Sequence, residues 1–321
     1  MKKLISFVIP HKGREAMLLQ TLHSIAAQAF DLEKMEVIVV SQNSEISDEL
    51  AQLKQQLALT VVFNEPDHTI SHSRNLGARQ AQGEYLAFLD ADVALSANWS
   101  ETMLGVVSRD DDIVLVSAMQ VNGPDAPSLE RIRTALSNAE LDTEVAFLPG
   151  RNLFLHRDTF WKVGGFPEHL LTCEDYYFTD RVNQLGNLFY TSKASYVHLG
   201  EDKAFIPMFR KEIWRGQSNL KSLSGRRIPL REWPSFVVPI AVLSCWLLAI
   251  ICLVISEPGF ATLAFVGGIL PVIVYALRLT RLARGDVGWP QCISFYLLYF
   301  PARAIGTVAG IRQNIGTNSH K

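Results

Sequence analysis

The sequence predicts an α/β fold, a mostly parallel Rossmann-like sheet wound with helices, followed by a C-terminal helical membrane hairpin. Three observations carry that prediction. Short apolar runs alternate with helical patterns through the first two-thirds of the 321 residues. One of those runs, Tyr85 to Leu89, ends on two aspartates one residue apart, Asp90 and Asp92. The last third holds two long stretches without a single charge.

Strands are expected over residues 5–10, 36–41, 60–64, 85–89 and 113–117. Between the first two, Leu18, Leu22, Ile25, Ala26 and Ala29 recur at helical spacing. Strands separated by helices require right-handed crossovers and hence a largely parallel sheet. Ligands of such sheets bind outside the carboxyl ends of the strands. Pro10, Ser41 and Asp90 fall at those ends, which groups three distant segments into one candidate site. The opening Met1-Lys2-Lys3 and the apolar run after it imitate a signal peptide, but the run is only about seven residues and lacks a small-residue cleavage site. It reads as a first strand, in a domain on the cytoplasmic side.

Side chains two apart on a strand face the same way, so Asp90 and Asp92 can face one ligand. Two such anions repel unless a cation lies between them, and hard divalent cations are commonly held by one or two carboxylates plus substrate phosphates. Taken alone, such a pair is more often a solvated acidic turn. The net charge of −2 gives no electrostatic reason to expect a nucleic-acid partner. Cys173, Cys245, Cys252 and Cys292 have neither metal nor disulfide spacing, and three of them lie in the apolar C-terminal part as small hydrophobes.

Four regions follow. Residues 1–205 form the α/β domain. Residues 206–231 form a basic amphipathic linker with Phe209, Arg210, Lys211, Trp214 and Arg215, a composition suited to a membrane surface. Residues 232–284 form the hairpin, with spans at about 235–256 and 260–278, roughly 33 and 27 Å long at helical rise. Glu257-Pro258-Gly259 turns the chain between them. Arg226, Arg227 and Arg231 precede the first span, and Arg278, Arg281 and Arg284 follow the second, so both ends belong on the cytoplasmic side. Residues 285–321 are apolar over 293–311 but carry Pro301 and Arg303. A span here would bury Arg303 at about 2.5–3.5 kcal/mol on insertion scales, so the segment is expected to lie in the interface, leaving two transmembrane helices.

With strand, acid pair and hairpin in place, the chain resembles a family 2 glycosyltransferase of the GT-A fold, of the bacterial membrane-bound type. The match runs over roughly residues 4–200. Ser6-Phe7-Val8-Ile9-Pro10 resembles the opening strand of the nucleotide site. Ser73-Arg74-Asn75-Leu76-Gly77-Ala78 resembles the family's Ala-Arg-Asn-x-Gly helix start. Gly83-Glu84 through Asp92 resembles the metal-binding strand. Val163-Gly164-Gly165-Phe166 followed by Cys173-Glu174-Asp175 resembles the acceptor loop and catalytic Glu-Asp pair. One stretch departs from the pattern: where the family usually has Asp-Asp-x-Ser, this chain has Ser41-Gln42-Asn43-Ser44. Gln42 offers an acceptor and two donors to a base edge but no charge.

The resemblance implies a metal-dependent enzyme that moves a sugar, with inversion, from a nucleotide-sugar donor to a lipid-linked or growing glycan acceptor at the cytoplasmic membrane. Cell-envelope or exopolysaccharide biosynthesis is the implied setting. A divalent metal, Mg or Mn, falls to Asp92, with Asp90 on ribose or a metal-bound water and His198 as the late histidine beside the metal. Asp175 is the expected base, with Glu174 next to it. Pro10, Gln42, Arg74, Asp90 and Arg215 are the expected donor contacts, and Asn75 is expected to cap the helix after it. Glu168 and His169 lie close enough in sequence to line the acceptor pocket. A polyprenyl-phosphate sugar synthase is the alternative, and a non-catalytic nucleotide-sugar-binding subunit a weaker one. A nucleotidyltransferase would need a Gly-rich phosphate loop, and a processive synthase more spans.

Overall fold

The computed structural model describes residues 2–54, 56–217 and 230–318. Arg226 and Arg227 of the basic flank, linker residues 218–229 and Lys321 lie outside the described residues. The chain divides into two units, residues 1–123 with 140–200, and residues 124–139 with 201–321. Segment 124–139, expected inside the 1–205 domain, is thus grouped with the C-terminal helices.

The first unit contains β1 (Ile5–His11), α1 (Glu15–Ala26), β2 (Met35–Ser41), α2 (Asp48–Leu53), β3 (Leu59–Phe63), α3 (Ile70–Gln80), β4 (Tyr85–Leu89), β5 (Val93–Leu95), α4 (Trp99–Val107) and β6 (Ile113–Val121). The second unit takes α5 (Ser128–Ser137). The first then resumes with β7 (Thr143–Val145), β8 (Asn152–His156), α6 (Arg157–Lys162), α7 (Glu174–Val182) and β9 (Asn187–His198). Each of the five expected strands is present, within a residue or two at most ends; the fifth runs on to Val121.

Strand order is β3-β2-β1-β4-β8-β6-β9-β5, with β7 added on β9. The segment β3-β2-β1-β4 is parallel throughout. Beyond β4 the sheet becomes mixed, because β8 runs antiparallel to both β4 and β6. The chain winds from β1 out to β3 and then places β4 on the other side of β1. That reversal is a topological switch point, where the loops following β1 and β4 separate and leave a crevice.

All seven residues of β1 are buried, as a strand covered on both faces requires. Ile5, Phe7 and Ile9 pack with Leu18, Leu22 and Ile25 of α1 and Trp99 of α4. Val8 belongs to the other face, with Ile38, Phe88, Ala78 of α3 and Phe160 and Phe178 of α6 and α7. Gly77 lets α3 come this close. A Cβ there would strike Val8 Cγ1 and stand 3.1 Å from Val40 Cγ2.

The second unit continues with α8 (Phe205–Gly216), α9 (Trp233–Val254), α10 (Pro258–Leu282) and α11 (Trp289–Asn318). Three of its helices are long and apolar enough to cross a membrane: Trp233–Val254, Pro258–Leu282 and Trp289–Ile311. The expectation counted two. The third is the least apolar, and 44% of its window is buried within the protein, against 22% and 28% for the others. Gly268 of α10 packs where a Cβ would collide with Trp246 of α9, the small-residue contact that lets apolar helices approach closely. Large apolar side chains point outward along the hairpin, among them Val254 (78% exposed) and Leu263 (70%).

Gly77→Ala is expected to destabilise the protein by about 1–3 kcal/mol, the usual cost of overpacking. A thermal or denaturant melt equal to wild type would show that the α3–β1 contact yields without cost.

Candidate active site

The crevice is built from strand ends. His11 closes β1, with Pro10 buried one residue earlier. Ser41 closes β2, and Asp90 and Asp92 bracket the step from β4 to β5. Val93 of β5 pairs with His198 at the end of β9, which brings the late histidine to the second aspartate.

Arg74 lies beneath the crevice, 1% exposed. Its guanidinium donates to Asp90 Oδ1 at 2.9 Å, to Glu174 Oε1 at 2.9 Å and to the Gly150 carbonyl at 3.1 Å. Phe166 stacks beneath it at 4.8 Å. Gly150 N–H in turn donates to Asp175 Oδ2 at 3.1 Å, and Tyr176 N–H donates to Asp175 Oδ1 at 2.8 Å. Residues far apart in sequence are thus joined by one run of hydrogen bonds: Asp90, Arg74, Glu174, Gly150 and Asp175. A Cβ on Gly150 would press on Asp175 Cβ at 3.0 Å and on both Arg74 terminal nitrogens. Burial works against the Arg74 charge, but Asp90, Glu174 and Asp175 more than offset it and hold its pKa above the ordinary value. Burial, and then the neighbouring Asp175, push Glu174 from 4.5 up to about 6 against the pull of Arg74.

Next to this chain stands a second pair. Asp92 is 6% exposed, with its Oδ1 3.4 Å from His198 Nε2 and its Oδ2 3.2 Å from Arg14 Nη2. Arg151 Nη1 lies 3.1 Å from His198 Nδ1. Arginine only donates, so Nδ1 accepts and the ring proton faces Asp92. Among the described residues no three His, Cys, Asp or Glu side chains gather as a metal cage. Asp92 and His198 supply two oxygen and nitrogen donors, a set suited to a divalent cation whose remaining ligands come from substrate phosphate and water. Asp92 fits that part once Arg14 leaves Oδ2, and His198 once Arg151 leaves Nδ1.

Other expected site residues take different places. Gln42 donates its amide hydrogens to the carbonyls of Glu65 and His68, at 2.9 and 2.8 Å, and so ties the loop after β3 to the end of β2. Asn75 does not cap a helix. Helix α3 starts earlier, where Thr69 accepts from His72 N–H at 3.2 Å. Asn75 is one turn inside and pairs with both backbone groups of Phe166, at 2.9 Å each, and with Glu168 Oε1 at 2.8 Å. This fixes the loop leading to Glu174. Arg215 lies in the second unit and ion-pairs with Glu212 at 2.7 Å. Sequence reasoning missed Arg14 and Arg151. Arg14 follows a glycine just after β1, a position that marks a turn in the crevice; nothing in the sequence singles out Arg151.

A GT-A-type sheet with an Asp-x-Asp step at its switch point is the fold of nucleotide-sugar-dependent glycosyltransferases. Residues 6–164 match the sequence profile described as Glycosyl transferase family 2. The chain belongs to that family. It is 23% identical over 238 residues to glycosyltransferase AglE of Haloferax volcanii, covering 71% of this chain and 77% of that one. It is 29% identical over 199 residues to validoxylamine A glucosyltransferase of Streptomyces hygroscopicus subsp. jinggangensis, covering 51% of this chain and 47% of the relative. The mannosyltransferase PcManGT from Pyrobaculum calidifontis, solved in complex with GDP-Man and Mn2+, superposes with a TM-score of 0.62 at 17% identity, over 96% of this chain and 88% of that one. That structural likeness establishes the shared fold.

The fold raises the Glu174 pKa, so between pH 4.5 and about 6 the folded state binds more protons than the unfolded one. The stability that Glu174 contributes is therefore complete below that window and fades as pH rises through it. Glu174→Gln should flatten the melting temperature against pH across this window, whereas a mutant profile parallel to wild type would place the perturbed group elsewhere.

Proposed function

We propose that this protein is an inverting glycosyltransferase that moves a sugar from a nucleotide-sugar donor to a lipid-linked or growing glycan acceptor at the cytoplasmic face of a membrane. The observation that carries this reading is the hydrogen-bonded run from Asp90 through Arg74 to Glu174 and Asp175, set beside the Asp92–His198 pair. A Mg or Mn ion held by Asp92 and His198 would supply positive charge to the diphosphate leaving group.

The remaining work falls to the chain's own residues. Asp175 accepts one backbone N–H on each oxygen, which fixes the orientation of its carboxylate. Its remaining lone pairs are available to the acceptor hydroxyl, whose proton it takes as the oxygen attacks the anomeric carbon. One base and one displacement invert that centre. Arg74, buried and held by two acids, positions Asp90 and Glu174 rather than touching the donor. Gln42 keeps its carbonyl oxygen for a base edge, and Asp90 faces the ribose. The Asn75 clamp on Phe166 and Glu168 holds the acceptor loop in register with Asp175.

The second unit supports the membrane part of the reading. Helices α9 and α10 form a spanning hairpin with Trp233 at its entry and Arg278 and Arg281 at its exit. Helix α11 lies in the interface. Arg303 within it is 3.5 Å from Glu212 of α8, and Glu212 also binds Arg133 of α5 and Arg215. Arg133 further bonds Asp202 at 2.9 Å, and Lys211 bonds Asp202 at 3.1 Å. Helix α8 runs alongside α11, with Gly216 and Gly306 packed backbone to backbone. Gly306 is about 26 Å along the helix from Trp289. A spanning α11 would carry this ion cluster, and the exposed Arg210 of α8, into or across the hydrocarbon.

Asp175→Asn is expected to bind the donor nucleotide as wild type does and to lose transfer by about 10²–10⁴-fold, measured with membranes and labelled nucleotide sugars. Retained turnover would reject the base assignment. A reporter fused after Lys321 is expected to report the cytoplasmic side; an extracytoplasmic signal would make α11 a third span.

A further inference from the structure

Arg14, like Cys173, is a non-glycine residue beside the crevice with a left-handed backbone. Gly13 and Arg14 follow β1 with φ of 63° and 44°, consecutive left-handed residues, and only the glycine adopts that conformation without steric cost. The turn is held in place. Gly13 N–H donates to Asn43 Oδ1 at 2.7 Å, and the Arg14 carbonyl accepts from Met17 N–H at 3.0 Å as α1 begins. Arg14 makes no side-chain cap for that helix. The turn instead aims its guanidinium at Asp92 Oδ2, 3.2 Å away. Strain kept at a ligand crevice points to a role in binding.

The surroundings keep this contact accessible. A Cβ on Gly200 would collide with Asp92 Oδ2 and stand 2.7 Å from Arg14 Nη1, so a bare glycine leaves the space that both groups use. The Arg14 side chain is 62% exposed, and its other polar contact is a long 3.8 Å approach to Met17 Sδ. Arg74, by contrast, is locked among two acids and a carbonyl. Arg14 therefore reaches Asp92 while staying able to turn toward solvent.

We propose that Arg14 is the counter-charge of Asp92 in the free enzyme and passes to the donor's diphosphate when the cation-bound donor enters. This rests on the reading of the site as one for a nucleotide sugar with a divalent cation. Arg14 and a cation compete for the same carboxylate and repel each other, so Arg14 opposes binding of the metal alone. A diphosphate brings negative charge and oxygen acceptors that suit the guanidinium fork. Transfer of Arg14 from carboxylate to phosphate opens the Oδ2 side of Asp92 and offsets part of the diphosphate charge in one motion. The same side chain thus disfavours an empty metal site and favours a loaded one.

The test measures two affinities on full-length protein in detergent: Mn2+ alone, by electron paramagnetic resonance of the free ion, and UDP or GDP in the presence of Mn2+, by calorimetry. Arg14→Gly suits the left-handed backbone, so its fold is retained, and thermal unfolding checks this. Arg14→Gly is expected to bind Mn2+ alone more tightly and the nucleotide with Mn2+ about tenfold more weakly, the loss expected for one charge-assisted contact. Arg14→Lys is expected to keep the metal affinity near wild type and recover part of the nucleotide affinity. Both affinities moving in the same direction, or neither moving, overturns the assignment. Asp92→Asn serves as the control for the underlying reading. A wild-type protein that binds neither Mn2+ nor nucleotide, or an Asp92→Asn that binds both as wild type does, overturns the functional reading and this assignment with it.

Discussion

A single buried guanidinium organises the catalytic unit. Arg74 comes from the middle of α3, Asp90 from the end of β4 and Glu174 from the start of α7, and no local backbone force brings these segments together. The two carboxylates would repel one another in a buried setting without the positive charge between them. Gly150 fits only because it lacks a side chain, and its amide passes the same constraint on to Asp175. Removing Arg74 would leave two half-buried acids unmatched, a more damaging state than the loss of an exposed ion pair.

Beside this fixed frame stands a more adjustable pair. Asp92 and His198 are each attended by an arginine, Arg14 at 3.2 Å and Arg151 at 3.1 Å. Under the proposed assignment the division has a physical logic. The group that takes a proton must be oriented before the acceptor arrives, because misalignment raises the barrier directly. Groups that meet a cation and a diphosphate must instead exchange partners as those charges enter and leave.

The same contrast recurs in the second unit. The hairpin of α9 and α10 is apolar outward and close-packed through Gly268, the arrangement that lipid demands. Helices α5, α8 and α11 instead enclose a cluster of opposite charges, Arg133, Glu201, Asp202, Glu212 and Arg303. The Glu212 carboxylate is buried, and the surrounding Arg133, Arg215 and Arg303 overcome that burial and hold its pKa down at about 2. It stays ionised at any physiological pH, and the arginine on α11 keeps its partner.

Periodicity alone determined the parallel strands, since alternating apolar runs and helical spacing have few three-dimensional solutions, and uncharged length alone marked the hairpin helices. The Asp-x-Asp step and the adjacent Glu174 and Asp175 stood out in the sequence through their resemblance to family 2 motifs, since either acid pair alone suits a solvated turn or a helix start. Tertiary structure decided the rest. Asn75 sits inside α3 because the helix starts at the Thr69 cap, so its amide clamps a loop 91 residues away. Arg74 faces two acids rather than solvent, and Arg14 reaches Asp92 across a left-handed turn. Segment 124–139 is grouped with the C-terminal helices because Leu129 and Ile132 bury against α10 and α11. Local sequence fixes backbone preference and apolar period, while long-range ion pairs depend on the chain path that only folding establishes.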